Sequence, residues 1–179
     1  MMATSPRSDV DRFYIRIIVF KIFKVFPDDR GYLNPIDLKY LLKTIGKPNF
    51  LFSYQLISSS KEKNVFRGFH YQKPPDEQMK ILIVHQGSIK DIIFPISSTK
   101  FSDIHEFDLE AGDVIVIPSN FAHGFYTKSS NVLLQYLTDK KFSPENYTGF
   151  NPKKYIQNSL PHSEFIISSK DKDLPELPF

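Results

Sequence analysis

The feature of this sequence that most limits its possible folds is a series of short apolar runs that begins near Phe50. Turn-forming Gly, Pro, Asn and Asp residues separate the runs, which cover residues 50–60, 80–87, 88–96, 100–109, 113–119 and 131–139. Short runs with such boundaries are typical of β-strands, and several of them at this spacing indicate an antiparallel sandwich or barrel. We therefore predict an all-β chain in which His85–Ser88 forms a tight hairpin turn.

One helix is predicted ahead of the strands, within residues 34–46. Asn34 is suited to cap its amino end, Pro35 fits the first helical position, and Gly46 fits the position just after the last turn. Four apolar side chains share one face at helical spacing, namely Leu38, Leu41, Leu42 and Ile45. The sequence thus predicts a short helix with one apolar face.

The length of 179 residues suits one domain with a single core. Residues 1–12 are polar and are expected to be frayed, so that residues 13–179 form the domain. The apolar stretch after the polar end contains Arg16, Lys21 and Lys24, and this charge is too high for a signal peptide or a membrane span. We expect a cytoplasmic protein with no membrane partner.

The charge balance and the absence of cysteine exclude several classes of function. The 23 Lys and Arg residues nearly offset the 20 Asp and Glu residues, and a net charge of +3 is too small for a nucleic-acid-binding surface. Without cysteine the chain has no disulfide, no thiolate metal site and no cysteine nucleophile. Gly-rich phosphate loops, paired carboxylates and Ser-His-Asp patterns are also absent, and we predict no cofactor.

A polar ribbon precedes the longest apolar runs, in the segment VFRGFHYQKPPDEQMK at residues 65–80. Strict alternation along a strand gives two faces, the first with Arg67, Phe69 and Tyr71 and the second with Gly68, His70 and Gln72. A small barrel with an open mouth forms a concave site that is lined from several strands. A polar ribbon on an apolar wall is therefore interpreted as a ligand site.

Two long segments carry a family resemblance, RGFHYQKPPDEQMKILIVHQGSIKDIIFPI at 67–96 and AGDVIVIPSNFAHGF at 111–125. Together they resemble the dTDP-4-dehydrorhamnose 3,5-epimerase family, and residues 28–31 and 167–177 match its outer segments. The likeness runs from about residue 17 to residue 177. It implies a jelly-roll, cupin-like barrel with one or two short helices. It also implies a homodimer with exchanged strands.

The resemblance implies epimerisation of nucleotide-linked 4-keto-6-deoxy sugars at C3 and C5. The ketone acidifies the neighbouring C–H bond, so a base removes that proton, an enolate forms, and a proton returns on the other face. This chemistry needs a base, a donor for the enolate oxygen, and an acid opposite the base.

The family motifs assign candidate roles to individual residues of this chain. His70 corresponds to the family's base, and Lys80 corresponds to the lysine near the C4 oxygen. The resemblance also implies a substrate-binding group that consists of Arg30, Gln55, Arg67, Gln72, His123, Tyr136 and Phe142. We expect the partner to be a nucleotide-diphosphate sugar.

Three positions depart from the family pattern. The family's general acid is a tyrosine in a Tyr-x-Pro step, where this chain has Phe142. The family's orienting aspartate lies in an Asp-Pro step, which is matched here by Asn151. Ile57 stands where the family has an asparagine two residues after Gln55. A phenyl ring has no proton to give, and we therefore expect slow or single-centre epimerisation.

Other interpretations of these residues stay open. His70 could be a core histidine, Lys80 a solvated strand flank, and His123 a residue that fixes a turn bounded by Pro and Gly. Arg30 could only stabilise its own turn. At the level of the whole chain, the alternatives are a non-catalytic sugar-nucleotide binder and a ketose–aldose isomerase that uses the same enolate.

Barrel histidines can also bind a metal. Metal-binding cupins carry a His-x-His motif followed by a glutamate, whereas this chain has His70-x-Gln72 with Glu77 nearby. Two neutral imidazoles at ligand spacing are missing, and we predict no metal site.

Overall fold

The computed structural model describes residues 19–20 and 25–179, and β-strands are the main regular secondary structure of this part of the chain. The first seven strands are β1 (Val19–Phe20), β2 (Phe26–Asp28), β3 (Gly31–Leu33), β4 (Tyr54–Ser60), β5 (Val65–Gln72), β6 (Lys80–Gln86) and β7 (Ser88–Pro95). The remaining strands are β8 (His105–Glu110), β9 (Val114–Ile117), β10 (Phe121–Thr127), β11 (Val132–Thr138), β12 (Tyr147–Gly149) and β13 (Ile166–Ile167). A 3₁₀ helix covers Phe101–Asp103.

Two sheets form the body of the molecule. The first has the strand order β1-β9-β6-β11-β4, and the second has the order β12-β5-β10-β7-β8, with β13 parallel to β5. All other pairings are antiparallel, and β2 and β3 form a separate two-stranded ribbon. The predicted all-β antiparallel fold is thus confirmed.

The connection at His85–Ser88 is not the predicted hairpin. Strand β6 belongs to the first sheet and β7 to the second, so Gly87, with φ of 78°, carries the chain from one sheet to the other. Both strands are buried along most of their length, and each lies between two neighbours of its own sheet. The two apolar runs on either side of Gly87 are therefore central strands of two different sheets and do not form one hairpin.

The inner faces of the two sheets enclose the main core. The first sheet contributes Leu82, Val84, Ile115, Ile117 and Leu134, while the second contributes Ile89, Ile93, Leu109, Phe121 and Phe125. Burial of large apolar side chains contributes about 1.5–3 kcal/mol each to folding. This packing gives the rigid walls from which the cavity described below is built.

Helix α1 (Leu38–Thr44) covers the outer face of the first sheet. Its cap is Asp37 rather than the predicted Asn34, since the Asp37 carboxylate accepts a 2.9 Å hydrogen bond from the Tyr40 N–H. Gly46, with φ of 69°, follows the helix end as predicted. The predicted apolar face is also confirmed, with Leu41, Leu42 and Ile45 buried against the sheet.

Helix α2 (Lys153–Ser159) and the carboxyl-terminal segment cover the outer face of the second sheet. The carboxyl-terminal segment does not lie entirely on the surface, because Asp171 and Leu177 are buried. Asp171 belongs to a one-turn helix, α3 (Ser169–Lys172), whose first turn is capped by Ser168. The tail therefore brings a carboxylate into the molecule.

Two expectations concern residues beyond this description. The frayed segment 1–12 and the domain boundary at residue 13 lie outside the described residues. In the part of the chain that the structure describes, no helix is long and apolar enough to cross a membrane.

Candidate active site

A cavity of about 380 Å³ lies between the two sheets. The first sheet lines it with Leu56, Ser58, Lys80, Tyr136 and Thr138. The second sheet lines it with Arg67, His70, Gln72, His123, Phe125 and Tyr147, and the tail adds Lys170 and Asp171. Polar and ionisable groups thus converge from both sheets on one concave surface.

A β-bulge in β5 turns two predicted site residues toward the same cavity. His70 pairs with His123 on β10, and Arg67 pairs with Phe125. Between these two pairs β5 therefore has one residue more than β10. Arg67 and His70 consequently both line the cavity, while Phe69 packs on the outer face. Strict alternation had placed Arg67 and His70 on opposite faces, and that prediction is wrong because the bulge inserts one residue.

The bulge depends on a close approach of two backbones. Gly68 has φ of 128°, and a Cβ there would lie 2.4 Å from the Cα of Gly124. A side chain at position 68 would have to push β10 away from β5. The glycine of the Arg-Gly step therefore sets the direction of His70.

The carboxylate of Asp171 bonds directly to His70. The His70 Nε2 atom lies 2.8 Å from Asp171 Oδ1, and the Asp171 side chain is only 7% exposed. A carboxylate accepts hydrogen bonds, so Nε2 carries the proton and the lone pair of Nδ1 is left to act as a base. Asp171 lies 101 residues from His70, and no local spacing indicated this pair.

Asn151 does not take the orienting role that the Asn-Pro step suggested. Its Nδ2 donates to the carbonyl of Leu174 at 2.8 Å, and its Oδ1 accepts from the N–H of Lys153 at 3.2 Å. Asn151 therefore anchors the tail that presents Asp171. The sequence comparison matched Asn151 to the orienting aspartate, whereas the carboxylate that contacts His70 belongs to Asp171.

The electrostatic setting keeps His70 neutral and Asp171 ionised at neutral pH. Burial lowers the pKa of His70 below 6.5, against the opposing effect of Asp171. Burial tends to raise the pKa of Asp171, but its hydrogen bond and attraction to His70 outweigh this, and the pKa is below 3.8. A neutral imidazole with an oriented proton is the form that can remove a proton.

Lys80 lies at the start of β6, on the wall that faces the histidines. It pairs with Thr138 of β11, and its Nζ lies 3.4 Å from the carbonyl oxygen of His70. Desolvation lowers the pKa of Lys80 to about 8, with Asp91 acting in the opposite direction. The ammonium is therefore mostly charged at neutral pH and available to an anionic oxygen.

A second imidazole–carboxylate pair lies deeper in the cavity. His123 Nε2 is 2.6 Å from Asp91 Oδ1, and the side chains are 5% and 0% exposed. His123 belongs to strand β10, so its placement in a turn is wrong. The other oxygen of Asp91 has no hydrogen-bond partner among the described residues.

Two further predicted residues reach the cavity. The Arg67 Nε atom donates to Ser60 Oγ at 3.3 Å and its Nη2 atom donates to the carbonyl oxygen of Ser59 at 3.1 Å, while the side chain lines the cavity. Gln72 accepts a 2.8 Å hydrogen bond from the N–H of Ser143. Gln72 thus positions the loop that carries Phe142.

Gln55 and Arg30 do not line the cavity. Gln55 accepts a 3.2 Å hydrogen bond from Gln135, on the face of β4 opposite to Leu56, which does line the cavity. Arg30 pairs with Asp28 at 2.6 Å in the exposed β2–β3 ribbon. The sequence could not show which alternate residues of β4 face the cavity, because β4 has exposed residues on both of its faces.

A chain of aromatic rings lies beside His70 in the cavity. The Tyr147 ring lies 5.2 Å from the His70 ring and 5.1 Å from the Phe142 ring, as measured between centroids. The Nζ atom of Lys170 lies 4.2 Å from the Tyr147 ring centroid. Phe142 therefore lines the cavity through a phenyl ring that carries no proton donor.

Within residues 25–179, no group of three or more His, Cys, Asp and Glu side chains could hold a metal ion. The chemistry of the cavity is best described by its histidines, carboxylates, lysine and tyrosines.

Comparisons with known proteins agree on one family. A family model described as dTDP-4-dehydrorhamnose 3,5-epimerase matches residues 15–178. The chain is also similar to the dTDP-4-dehydrorhamnose 3,5-epimerase of Escherichia coli strain K12, with 31% identity over 162 residues that cover 84% of each chain.

Solved structures show the same similarity. The dTDP-4-dehydrorhamnose 3,5-epimerase of Bacillus anthracis, with TDP and PPi bound, has a TM-score of 0.75 and 32% identity, and the match covers 87% of this chain and 91% of that one. The dTDP-6-deoxy-D-glucose-3,5-epimerase of Legionella pneumophila, in complex with dTDP-4-keto-L-rhamnose, has a TM-score of 0.70 and 25% identity, with 86% and 84% covered.

Proposed function

The chain belongs to the dTDP-4-dehydrorhamnose 3,5-epimerase family, and from this premise we propose that it epimerises a nucleotide-linked 4-keto-6-deoxy sugar next to the ketone. The observation that carries the proposal is the hydrogen bond between a neutral His70 and an ionised Asp171, in the same cavity as the Lys80 ammonium. A positioned base and a nearby cation are the two groups that enolate formation requires.

In the proposed reaction, His70 removes the proton from a carbon adjacent to C4. The electrons of the broken C–H bond move to the C4 oxygen, and the charge of Lys80 stabilises the resulting enolate. Asp171 stabilises the imidazolium that forms, as its 2.8 Å bond to His70 permits. A proton delivered to the other face of the carbon then completes the inversion.

The proposed substrate is a dTDP-linked sugar. Support comes from the relatives, because one solved structure holds TDP and another holds dTDP-4-keto-L-rhamnose. Arg67 and Lys170 line the cavity and supply positive charge for a diphosphate. Phe142, in place of a tyrosine, supports slow or single-centre epimerisation. Residence in the cytoplasm stays a prediction.

Product analysis tests this function against its two alternatives. The protein would be incubated with dTDP-4-keto-6-deoxyglucose, and the sugar would be followed by proton NMR. An epimerase changes the configuration at C3 or C5, and an isomerase moves the carbonyl. A sugar unchanged after prolonged incubation, although the nucleotide sugar binds, would leave only the binding function.

The pH dependence of kcat/KM should be bell-shaped. His70 acts as a base only when neutral, so the rate should rise with pH through a pKa below 6.5. Lys80 acts only when charged, so the rate should fall as pH passes about 8. Lys80→Met should lower kcat about 10²–10³-fold, the usual cost of one lost preorganised donor. It should also remove the alkaline limb while the acid limb stays.

Two results would contradict this assignment of Lys80. An alkaline limb near pH 8 that persists in Lys80→Met would have another origin. A loss of affinity alone, with kcat unchanged, would place Lys80 in substrate binding.

We propose a homodimer with exchanged strands. The outer strand β4 leaves Ile57 68% exposed, and the β2–β3 ribbon leaves Leu33 68% exposed. Exposed apolar edges of this kind are normally covered by another chain. In such a dimer, Arg30 of the ribbon would reach the neighbouring subunit's cavity.

Sedimentation at micromolar concentration should therefore give a dimeric mass. Ile57→Asp should shift the mass toward the monomer, whereas the exposed substitution Lys63→Asp should not. A monomeric mass for the unmodified protein would refute the dimer.

A further inference from the structure

We propose that Tyr136 delivers the proton to the face of the sugar opposite His70. This inference rests on the proposed function, since it concerns the second half of the same inversion. A base on one face requires a donor on the other, and Phe142 cannot supply one. The donor must therefore be a different group on the wall that faces His70.

Tyr136 occupies that wall. It lies on β11 in the first sheet, between Leu82 of β6 and Leu56 of β4, whereas His70 lies on β5 of the second sheet. Both side chains line the cavity. The Tyr136 ring meets the His123 ring edge to face at 5.9 Å, and His123 is the cross-strand partner of His70. A sugar ring between the sheets would thus have the imidazole on one face and the phenol on the other.

The state of the Tyr136 hydroxyl suits a donor. The residue is only 8% exposed, and its side chain lines the cavity. Burial raises the pKa of Tyr136, the charge of Asp91 adds to this, and the charge of Arg67 opposes it. The phenol therefore keeps its proton at neutral pH, and a substrate can be its hydrogen-bond partner.

Tyr147 is a poorer candidate because it shares the wall of the base. It lies on β12, which pairs with β5, and its ring is 5.2 Å from that of His70. A proton from that side would add to the face of the carbon from which His70 removed the first proton, and the configuration would be retained. Lys80 does face His70, but its charge is needed at the enolate oxygen.

The transfer balances without a further reactant. The O–H bond of Tyr136 breaks, and its proton forms the new C–H bond with the electron pair of the enolate, which restores the C4 carbonyl. The O–H electrons stay on Tyr136 as a phenolate, which the charge of Arg67 favours. Water then returns a proton to Tyr136 and accepts one from the His70 imidazolium.

The test compares inversion with hydrogen exchange in D₂O, with dTDP-4-keto-6-deoxyglucose as the probe. In Tyr136→Phe, exchange at the carbon served by His70 should stay within about threefold of the unmodified protein, while inversion falls about 100-fold. In Tyr147→Phe, the ratio of inversion to exchange should not change, whatever happens to the overall rate. Adding Phe142→Tyr to Tyr136→Phe should restore part of the inversion.

Equal ratios of inversion to exchange in Tyr136→Phe and in the unmodified protein would overturn the inference and leave the proposed function intact. The inference would also be overturned if the ratio of inversion to exchange in the unmodified protein fell as the pH passed about 8, because Lys80 would then be the donor. Absence of both exchange and inversion in the unmodified protein would instead refute the proposed function.

Discussion

Replacing His70 by asparagine is expected to abolish proton exchange at C3 and C5, with a loss of about 10⁴-fold, the upper end for a general base. Asparagine is close to histidine in size and retains a polar group toward Asp171, which lies 2.8 Å from the imidazole. The barrel should therefore fold, and thermal unfolding should show a cooperative transition near that of the unmodified protein. What is lost is the lone pair of Nδ1. Deuterium uptake by NMR measures the effect.

His85 offers a matched control for this variant. It lies on β6, and its Nε2 bonds to Gln135 at 2.9 Å on the face away from the cavity. His85→Asn should therefore keep both exchange and inversion. Retained exchange in a well-folded His70→Asn protein would end the assignment of His70 as the base.

Asp171→Asn should lower exchange and inversion together by about 10³–10⁴-fold, as expected where a carboxylate sets the tautomer of a catalytic histidine. Asparagine can present its amide N–H to Nε2, which would move the imidazole proton to Nδ1 and block the basic lone pair. The backbone N–H of residue 171, which donates to the Ser168 hydroxyl, is unaffected, so α3 should still form. The fall in kcat is read from initial rates at saturating substrate.

Asp173 provides the control for this substitution. It is an exposed carboxylate two residues further along the same tail, just after α3. Asp173→Asn should leave the rates unchanged. If Asp171→Asn retained rates within a few-fold of the unmodified protein, the carboxylate would not orient the base, and the role of Asp171 would be structural.

The parts of the fold that the sequence predicts are those with local causes. The apolar face of α1 follows from the spacing of Leu41, Leu42 and Ile45, all of which are buried. The strands follow from short apolar runs between turn residues. The sequence does not predict how the chain passes from one sheet to the other. A glycine turn such as that at Gly87 suits a hairpin as well as a crossover between sheets.

The site was less predictable because its geometry depends on distant contacts. The bulge that turns Arg67 and His70 to one side requires β10 to pack against Gly68, which lies 56 positions from Gly124 in sequence (124 minus 68). Asp171 reaches His70 across 101 residues. The family resemblance included the tail segment but assigned the orienting role to position 151. Only the folded chain shows that Asn151 holds the tail and Asp171 faces the imidazole.

The cavity also explains why proton removal and inversion can be separated in this protein. In the proposed mechanism, proton removal depends on the His70–Asp171 pair and on Lys80, and the structure places all three in one cavity. Inversion needs a proton donor opposite the base. Phe142 has no proton to give, and Tyr136 is the donor proposed above. We therefore expect deuterium to enter the sugar faster than configuration changes.

The most direct test of the account follows the hydrogens next to the ketone in the unmodified protein. dTDP-4-keto-6-deoxyglucose would be incubated in D₂O with catalytic amounts of protein, and deuterium at C3 and C5 would be followed by NMR. We expect deuterium uptake at one or both carbons, ahead of inversion, and no uptake with His70→Asn. No uptake at either carbon, under conditions where the nucleotide sugar is shown to bind, would contradict it.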